Sequence, residues 1–311
     1  MNNNETDVEI EMSTTVDEKC TQPETVIPQI TKEDLKLIET SQFINFHVTM
    51  QQIVSVGTNK TRSSVLRTFS LSILAGMFMA IGAMMAISVG RALPNVDNGA
   101  VKFIFGLFLS IGLNIVVLTN CELFTSNCAI VIPSLLSGNS KWYNVIKIHV
   151  ISYFGNFIGA VFVAVYFGKF LGTFESEIYT KSLFKLGINK TTHHWGKAVL
   201  SGIGCNWVVS TGVFMSNCSR DIFGKVAVVT ICVMTFVTLG FEHCVANMFF
   251  LPTAQMYGAD ITLGQILWKN IIPVSLGNFI GGTFFVGVPF WFAHVSNVYN
   301  FPIIDKSIVL K

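Results

Sequence analysis

The sequence predicts an all-α integral membrane protein whose six transmembrane helices form two inverted repeats of three. Of its 311 residues, 51% are hydrophobic and only 12% are charged, whereas soluble domains carry about 25% charged residues. The mean hydropathy is +0.58. Two short polar stretches also interrupt apolar runs at matching places in the two halves of the chain. Such paired interruptions indicate a binding site near the middle of the bilayer.

Long continuous apolar runs define the six crossings. About 20 apolar residues cross the hydrocarbon core as a helix, whereas the strands of a barrel would alternate over segments of about ten residues. The predicted spans are 68 to 91, 102 to 137, 144 to 172, 196 to 216, 222 to 256 and 267 to 294. The second and fifth spans contain the polar stretches, so we expect these two helices to be discontinuous.

The ends of the chain are polar. Residues 1–30 form a tail that we expect to be disordered. Residues 31–62 have the apolar spacing of an amphipathic helix that lies on the membrane surface or plugs the cytoplasmic mouth of a pore. The transmembrane transporter domain then covers 63–296, and 297–311 is a short C-terminal tail.

The two polar stretches share a pattern in which a Glu is followed five residues later by an Asn: Glu122 with Asn127, and Glu242 with Asn247. A helix break in hydrocarbon exposes backbone groups that cost several kcal/mol each, so it persists only inside protein or facing water. The half-helices that follow are expected to begin near Cys128 and Met248, and their N-termini carry partial positive charge. The two breaks therefore predict one cavity that suits an anion.

Glycine motifs indicate an internal duplication. Gly155-Asn156-Phe157-Ile158-Gly159 recurs as Gly277-Asn278-Phe279-Ile280-Gly281, and Leu74-Ala75-Gly76 is matched with Leu200-Ser201-Gly202. Each half has three spans, so the second half must enter the membrane from the opposite face. The glycines alone are explained by close helix packing. The two asparagines need partners in the apolar layer, which a pore or a broken-helix backbone would provide.

His243 is the histidine within a break, and it is the strongest candidate for handling the permeating species. Its ordinary pKa near 6.5 makes it both donor and acceptor at physiological pH, and a polar residue inside a span is a functional candidate by default. Glu122 and Glu242 would repel an anion, so we expect them to turn away from the pore and support the breaks. The cysteines show no metal-ligand spacing, and neither a cofactor nor a nucleic-acid partner is expected.

Taken together, these residues resemble the formate/nitrite transporters over Ser64 to Ala293. The matching pieces are Glu122-Leu123-Phe124-Thr125-Ser126-Asn127, Lys190, Cys205-Asn206-Trp207, the stretch Gly240 to Met248, Leu276-Gly277-Asn278 and Gly281-Gly282. The resemblance implies an aquaporin-like fold, a homopentamer in membrane lipid with one pore in each protomer, and small monovalent weak-acid anions as substrates. It also implies cytoplasmic termini, and the long N-terminal tail is typical of a eukaryotic member in a plasma membrane.

The resemblance also assigns roles to residues. His243, Thr125, Asn206 and Asn278 become polar pore contacts, and Lys190 becomes a vestibule lysine that attracts anions. Leu123, Phe124, Val209 and Phe236 become the candidates for two apolar constrictions on either side of His243. A bare anion crosses such constrictions only at high cost, so protonation, with His243 as relay, would let the neutral acid pass as net proton–anion symport.

Two other functions remain open at this stage. A channel for neutral solutes such as water or glycerol would use the same inverted architecture, but the breaks here contain Glu and His in place of Asn-Pro-Ala repeats. An intramembrane enzyme would need a nucleophile with a base, or metal ligands, and one central histidine with dispersed cysteines does not provide them.

Overall fold

A computed structural model describes residues 41–90 and 98–295, and these ranges are almost entirely helical. The predicted tails at 1–30 and 297–311 lie outside the described residues. The helices in chain order are α1 (Phe46–Arg62), α2 (Val65–Gly90), α3 (Gly99–Leu118), α4 (Phe124–Leu136), α5 (Trp142–Phe170), α6 (Glu177–Thr191), α7 (Trp195–Asn217), α8 (Ile222–Thr238), α9 (Cys244–Met256) and α10 (Leu263–His294). The prediction of an all-α fold with two discontinuous helices is confirmed.

Five helices in the described ranges are long and apolar enough to cross a membrane: α2, α3, α5, α7 and α10. By contrast, α8 has 17 residues, which at 1.5 Å per residue gives about 26 Å against a hydrocarbon core of about 30 Å. The sixth crossing therefore requires α8 and α9 to act as one broken span, and the count of six stays a prediction.

The half-helices start one turn earlier than expected. They begin at Phe124 and Cys244, so the predicted starts near Cys128 and Met248 are wrong by four residues. The polar residues that follow each break belong to the first helical turn, where the backbone N–H groups have no partner within the helix and favour polar neighbours.

Glycines hold the first and last spans of each repeat close together. A Cβ added at Gly159 on α5 would overlap the carbonyl oxygen of Ile73 on α2, and one added at Gly281 on α10 would overlap that of Ile203 on α7. These contacts give the two glycine motifs the expected packing role.

The same contacts correct the predicted alignment of the two halves. Ile73 corresponds to Ile203, so the match of Leu74-Ala75-Gly76 with Leu200-Ser201-Gly202 is wrong by four positions. A shift of four residues is about one helical turn and leaves each residue on the same face. Motif matching along the sequence could not distinguish these two registers.

The equivalent helices α3 and α8 run antiparallel. A Cβ on Gly106 would lie 2.8 Å from the Cα atom of Met234, and four residues further along α3 the Ser110 hydroxyl lies 3.2 Å from the Thr230 hydroxyl. Residue numbers therefore increase along α3 in the direction in which they decrease along α8. Since α3 and α8 occupy the same place in their repeats, the repeats are inverted, as predicted.

Each repeat also includes the helix that precedes its first span. Gly57 on α1 packs against the carbonyl oxygen of Ile130 on α4, and its equivalent in the second repeat, Gly187 on α6, packs against Ala254 on α9. The expected region 31–62 is helical only from Phe46 among its described residues. Helix α1 buries one face against the protein, while Phe43 before it forms an antiparallel bridge with Ser219.

Candidate functional site

An asparagine from the last span of the first repeat closes the first break. The side-chain oxygen of Asn156 accepts a hydrogen bond from the Phe124 N–H at 2.8 Å, and its amide donates to the carbonyls of Ser72 at 2.7 Å and Glu122 at 2.9 Å. These bonds satisfy backbone groups that would otherwise each cost several kcal/mol in a membrane. The interrupted backbone is therefore buried in protein at this point.

Asn278 closes the second break in the same way. It accepts from the Cys244 N–H at 2.8 Å and donates to the carbonyls of Gly202 at 2.8 Å and Glu242 at 3.0 Å. Of the two partners considered for this amide, a pore lining and a broken-helix backbone, the structure shows the second. A role for Asn278 as a pore contact stays a prediction, and it would require one of these bonds to open.

Asn206 joins the two repeats. Its side-chain amide donates to the carbonyl of Asn278 at 2.6 Å and to that of Thr125 at 3.1 Å. In the register that pairs Ile73 with Ile203, its counterpart is Gly76, where a Cβ would overlap the carbonyl oxygen of Asn156. The first repeat thus leaves this position empty, whereas the second fills it with a side chain that reaches the other break.

A buried ion pair supports the first break. The Lys60 ammonium on α1 lies 2.7 Å from the Glu122 carboxylate, which also accepts from the Asn127 amide at 3.1 Å. We expect from the sequence that Glu122 supports the break, but that expectation does not identify Lys60 as its partner. The duplicated tripeptide Asn-Lys-Thr, at residues 59–61 and 189–191, is the sequence signal that identifies it.

The second break has the same arrangement at the wall of a cavity. The Lys190 ammonium on α6 lies 2.6 Å from the Glu242 carboxylate, which accepts from the Asn247 amide at 2.7 Å. Lys190 and Glu242 both line this cavity, so the structure differs from the expectation that Glu242 turns away from the pore. The lysine neutralises the carboxylate, which removes the repulsion on which that expectation rested.

His243 occupies the N-cap position of α9 and is 3% exposed. Its Nδ1 accepts a hydrogen bond from the Ala246 N–H at 3.2 Å, and its Nε2 lies 3.1 Å from the Thr125 hydroxyl oxygen of the first repeat. Because Nδ1 acts as an acceptor, the neutral ring carries its hydrogen on Nε2 and donates it towards Thr125. Leu123 holds the equivalent N-cap of α4, with no side-chain cap.

The cavity has a volume of about 320 Å³ and reaches the His243 ring. Lys102 and Phe105 of α3 line one side, and Lys190 and His193 line another. Burial is the largest effect on His193 and holds its pKa below the ordinary value; Glu242 opposes this effect, while Lys197 and Lys190 add to it. Because Glu242 offsets Lys190, the net positive charge of this cavity at neutral pH rests on Lys102.

The four constriction candidates are buried in different surroundings. Phe236 lines the cavity and its ring stacks on His243 with centroids 6.0 Å apart, and Leu109 on α3 lines the same cavity, although the sequence did not single it out. Phe124 packs instead on Tyr153 of α5, with centroids 5.1 Å apart. Leu123 and Val209 are fully buried. Their role as constrictions stays a prediction.

Comparison with known proteins assigns the chain to a family. A model described as formate/nitrite transporter matches residues 47–292. The chain belongs to the formate/nitrite transporter family. A curated relative, the formate-nitrite transporter of Entamoeba histolytica, is 45% identical over 284 residues, which cover 91% of this chain and 77% of the relative.

Two solved structures share the fold. An FNT family ion channel has a TM-score of 0.73 at 24% identity and covers 79% of this chain and 98% of its own. A pentameric formate channel with formate bound has a TM-score of 0.65 at 30% identity and covers 75% and 98%. The chain is thus an integral membrane protein of an anion transporter family, and these relatives are transporters and channels, not enzymes.

Proposed function

We propose that this formate/nitrite transporter carries small monovalent weak-acid anions together with protons, through a pore in each protomer. The observation that carries the proposal is the cavity that reaches His243, whose Nε2 faces the Thr125 hydroxyl of the opposite repeat. Formate, acetate, lactate and nitrite are the candidate anions, and the formate bound to a structural relative supports this class.

The charges around the cavity favour an anion on entry. Lys102 and Lys190 line its wall, and although Glu242 offsets Lys190, the charge of Lys102 remains. The N-terminus of α9 lies at His243, where the helix dipole adds partial positive charge. We assign the apolar constrictions to Phe236, which lines the cavity, and to Leu123, Phe124 and Val209, which are buried. A bare anion loses its hydration there, whereas the neutral acid does not carry that cost.

His243 relays the proton through Nε2. In the neutral ring Nε2 already holds the hydrogen and Nδ1 accepts from the Ala246 N–H, so an incoming proton binds at Nδ1 and displaces that cap. The resulting imidazolium gives its Nε2 proton to the anion beside the Thr125 hydroxyl. This transfer leaves a neutral ring and a neutral acid, and the acid passes the constrictions.

The assembly and location follow the same proposal. The pentameric relative supports a pentamer. Each protomer contains its own pore, and membrane lipid surrounds the assembly. We place the protein in the plasma membrane with cytoplasmic termini.

Purified protein in proteoliposomes tests the function. Radiolabelled formate uptake should rise with an inward proton gradient, and His243→Asn should abolish that dependence, because asparagine can still cap α9 but cannot relay a proton. The matched control is His194→Asn, since His194 is also an N-cap that accepts from a backbone N–H, that of Gly196, at 3.2 Å, and does not line the cavity.

Two results would reject the proposal. Unchanged proton coupling in His243→Asn would remove His243 from the relay. Permeation of glycerol or water without uptake of formate would indicate the alternative, an aquaporin-like channel for neutral solutes.

A further inference from the structure

The cavity that ends at His243 is larger and more aromatic than a small acid requires. Its volume of about 320 Å³ falls within the range of about 300–1,000 Å³ that is usual for sites of drug-sized ligands. Four phenylalanines line it: Phe105, Phe236, Phe241 and Phe250. The ring centroids of Phe105 and Phe250 lie 5.8 Å apart. Formate and acetate would use little of this wall, because they carry almost no apolar surface.

Lys102 is the lysine of this cavity whose charge is left for a ligand. It lies in the first turn of α3, is half-buried and lines the cavity. Among the residues that the structure describes, no carboxylate pairs with it. Lys190, by contrast, lies 2.6 Å from the Glu242 carboxylate and 5.7 Å above the centre of the Phe250 ring. Glu242 is the only acidic residue in the described lining, so an anionic ligand meets one uncompensated positive charge beside aromatic carbon.

The inner end of the cavity is too narrow for a benzene ring. Phe236 stacks on His243 with centroids 6.0 Å apart, and each of these residues is 3% exposed. Asn189 and Gly240 also line the cavity and are exposed, so a ligand enters from their side. An anion that carries an aromatic ring can therefore enter the cavity but cannot pass His243 unless the stacked rings move apart.

We propose that this cavity binds an aromatic monoanion, of which benzoate is the simplest, and that the bound anion blocks formate. Its carboxylate pairs with the Lys102 ammonium, and its ring packs on Phe105 and Phe250. Aromatic rings at centroid distances of about 4.5–7 Å attract each other beyond the effect of burying their apolar area. The binding depends on the cavity alone, whereas the block rests on the proposed transport of formate.

Calorimetric titration of the purified protein with benzoate at neutral pH tests the binding. Lys102→Met should weaken it about ten-fold or more, which is the effect of losing one charge-assisted hydrogen bond. The matched control is Lys197→Met, because Lys197 is an exposed lysine whose charge acts on His193 but which does not line the cavity. That variant should bind benzoate like the unsubstituted chain.

Two analogues test the same site on the unsubstituted chain, so they do not depend on the folding of a variant. Benzamide keeps the aromatic ring without the charge, and cyclohexanecarboxylate keeps the charge without the aromatic ring. Both should bind more weakly than benzoate. Absence of benzoate binding, equal binding of benzoate and benzamide, or unchanged binding in Lys102→Met would overturn the proposal.

Formate uptake into proteoliposomes tests the block. Benzenesulfonate is the probe here, because it stays ionised at neutral pH and does not cross lipid as a neutral acid. It should raise the apparent KM for formate, by a smaller factor in Lys102→Met, and should not accumulate inside the vesicles. Accumulation of radiolabelled benzenesulfonate would overturn the block. Benzoate binding to a protein that takes up no formate would support the site and reject the proposed transport, which is a different result.

Discussion

Replacing Lys60 by Met should destabilise the fold, although Lys60 lies on a helix outside the predicted spans. The side chains of Lys60 and Glu122 are 14% and 6% exposed, and their charged atoms are 2.7 Å apart. Removing one partner of a buried ion pair leaves an uncompensated charge and costs about 3–5 kcal/mol. The Asn127 amide would remain as a neutral partner of the carboxylate.

Thermal unfolding in detergent measures this effect. For a domain of this size, each kcal/mol shifts the midpoint by about 2–4 °C, so Lys60→Met should lower it by about 6 °C or more. The control is Lys181→Met, whose pair with Glu177 has the same charges at 2.5 Å but side chains that are 73% and 80% exposed. Water screens such pairs, and its midpoint should hardly move.

A double variant decides whether the ion pair is the cause. Lys60→Met combined with Glu122→Leu removes both charges, so it should regain much of the stability lost in the single variant. The reasoning would be refuted if the unfolding midpoint of Lys60→Met were no lower than that of Lys181→Met. It would also be refuted if the double variant lost as much stability as Lys60→Met and Glu122→Leu lose together.

Three further predictions concern the capping, the packing and the pH response. His243→Ala should unfold at a lower temperature than His243→Asn by the cost of a helix cap, about 1 kcal/mol, and equal stabilities would argue against the cap. Gly159→Ala should impair folding because its methyl group would overlap the backbone of α2, whereas Gly99→Ala, with no atom within 4 Å, should be tolerated in the same expression and unfolding assays. The pKa of His193 is lowered from 6.5, so this side chain becomes positively charged only below that pH. The added charge attracts the anion, so the apparent KM for formate should fall at acid pH. The fall should be smaller in His193→Gln. That protonation also opposes folding, so the stability contributed at this position should decrease as the pH drops below 6.5.

The apolar runs and the repeated motifs were sufficient to predict the helical fold, the two breaks and the inversion, because each depends on local sequence. The glycine-asparagine motif even identified the two residues that close the breaks. It did not distinguish a solute contact from a backbone contact, because an asparagine in hydrocarbon needs partners of either kind.

The rest depends on contacts between distant parts of the chain. Lys60 is separated from its carboxylate partner by two whole spans of sequence, and only the repeated Asn-Lys-Thr tripeptide distinguishes it from other lysines near the end of an amphipathic helix. The predicted register between α2 and α7 is wrong by one turn because contacts between helices define it. These are the carbonyls that meet Gly159 and Gly281, and the carbonyls of Ser72 and Gly202 that bond to Asn156 and Asn278. The position of Glu242 in the cavity wall likewise follows from its pairing with Lys190, which no local pattern encodes.

The closure of each break within its own repeat has an evolutionary consequence. Among the described residues, the Asn156 side chain bonds to groups of the first half and the Asn278 side chain to groups of the second. By contrast, Asn206 and the pair of Thr125 with His243 make contacts between the halves. An ancestral half-length polypeptide would already contain every partner that its own interruption needs. Two copies of such a chain could have paired in opposite orientations before their genes fused. After fusion, the contacts between the halves, those of Asn206 and of Thr125 with His243, could change in one half without a matching change in the other.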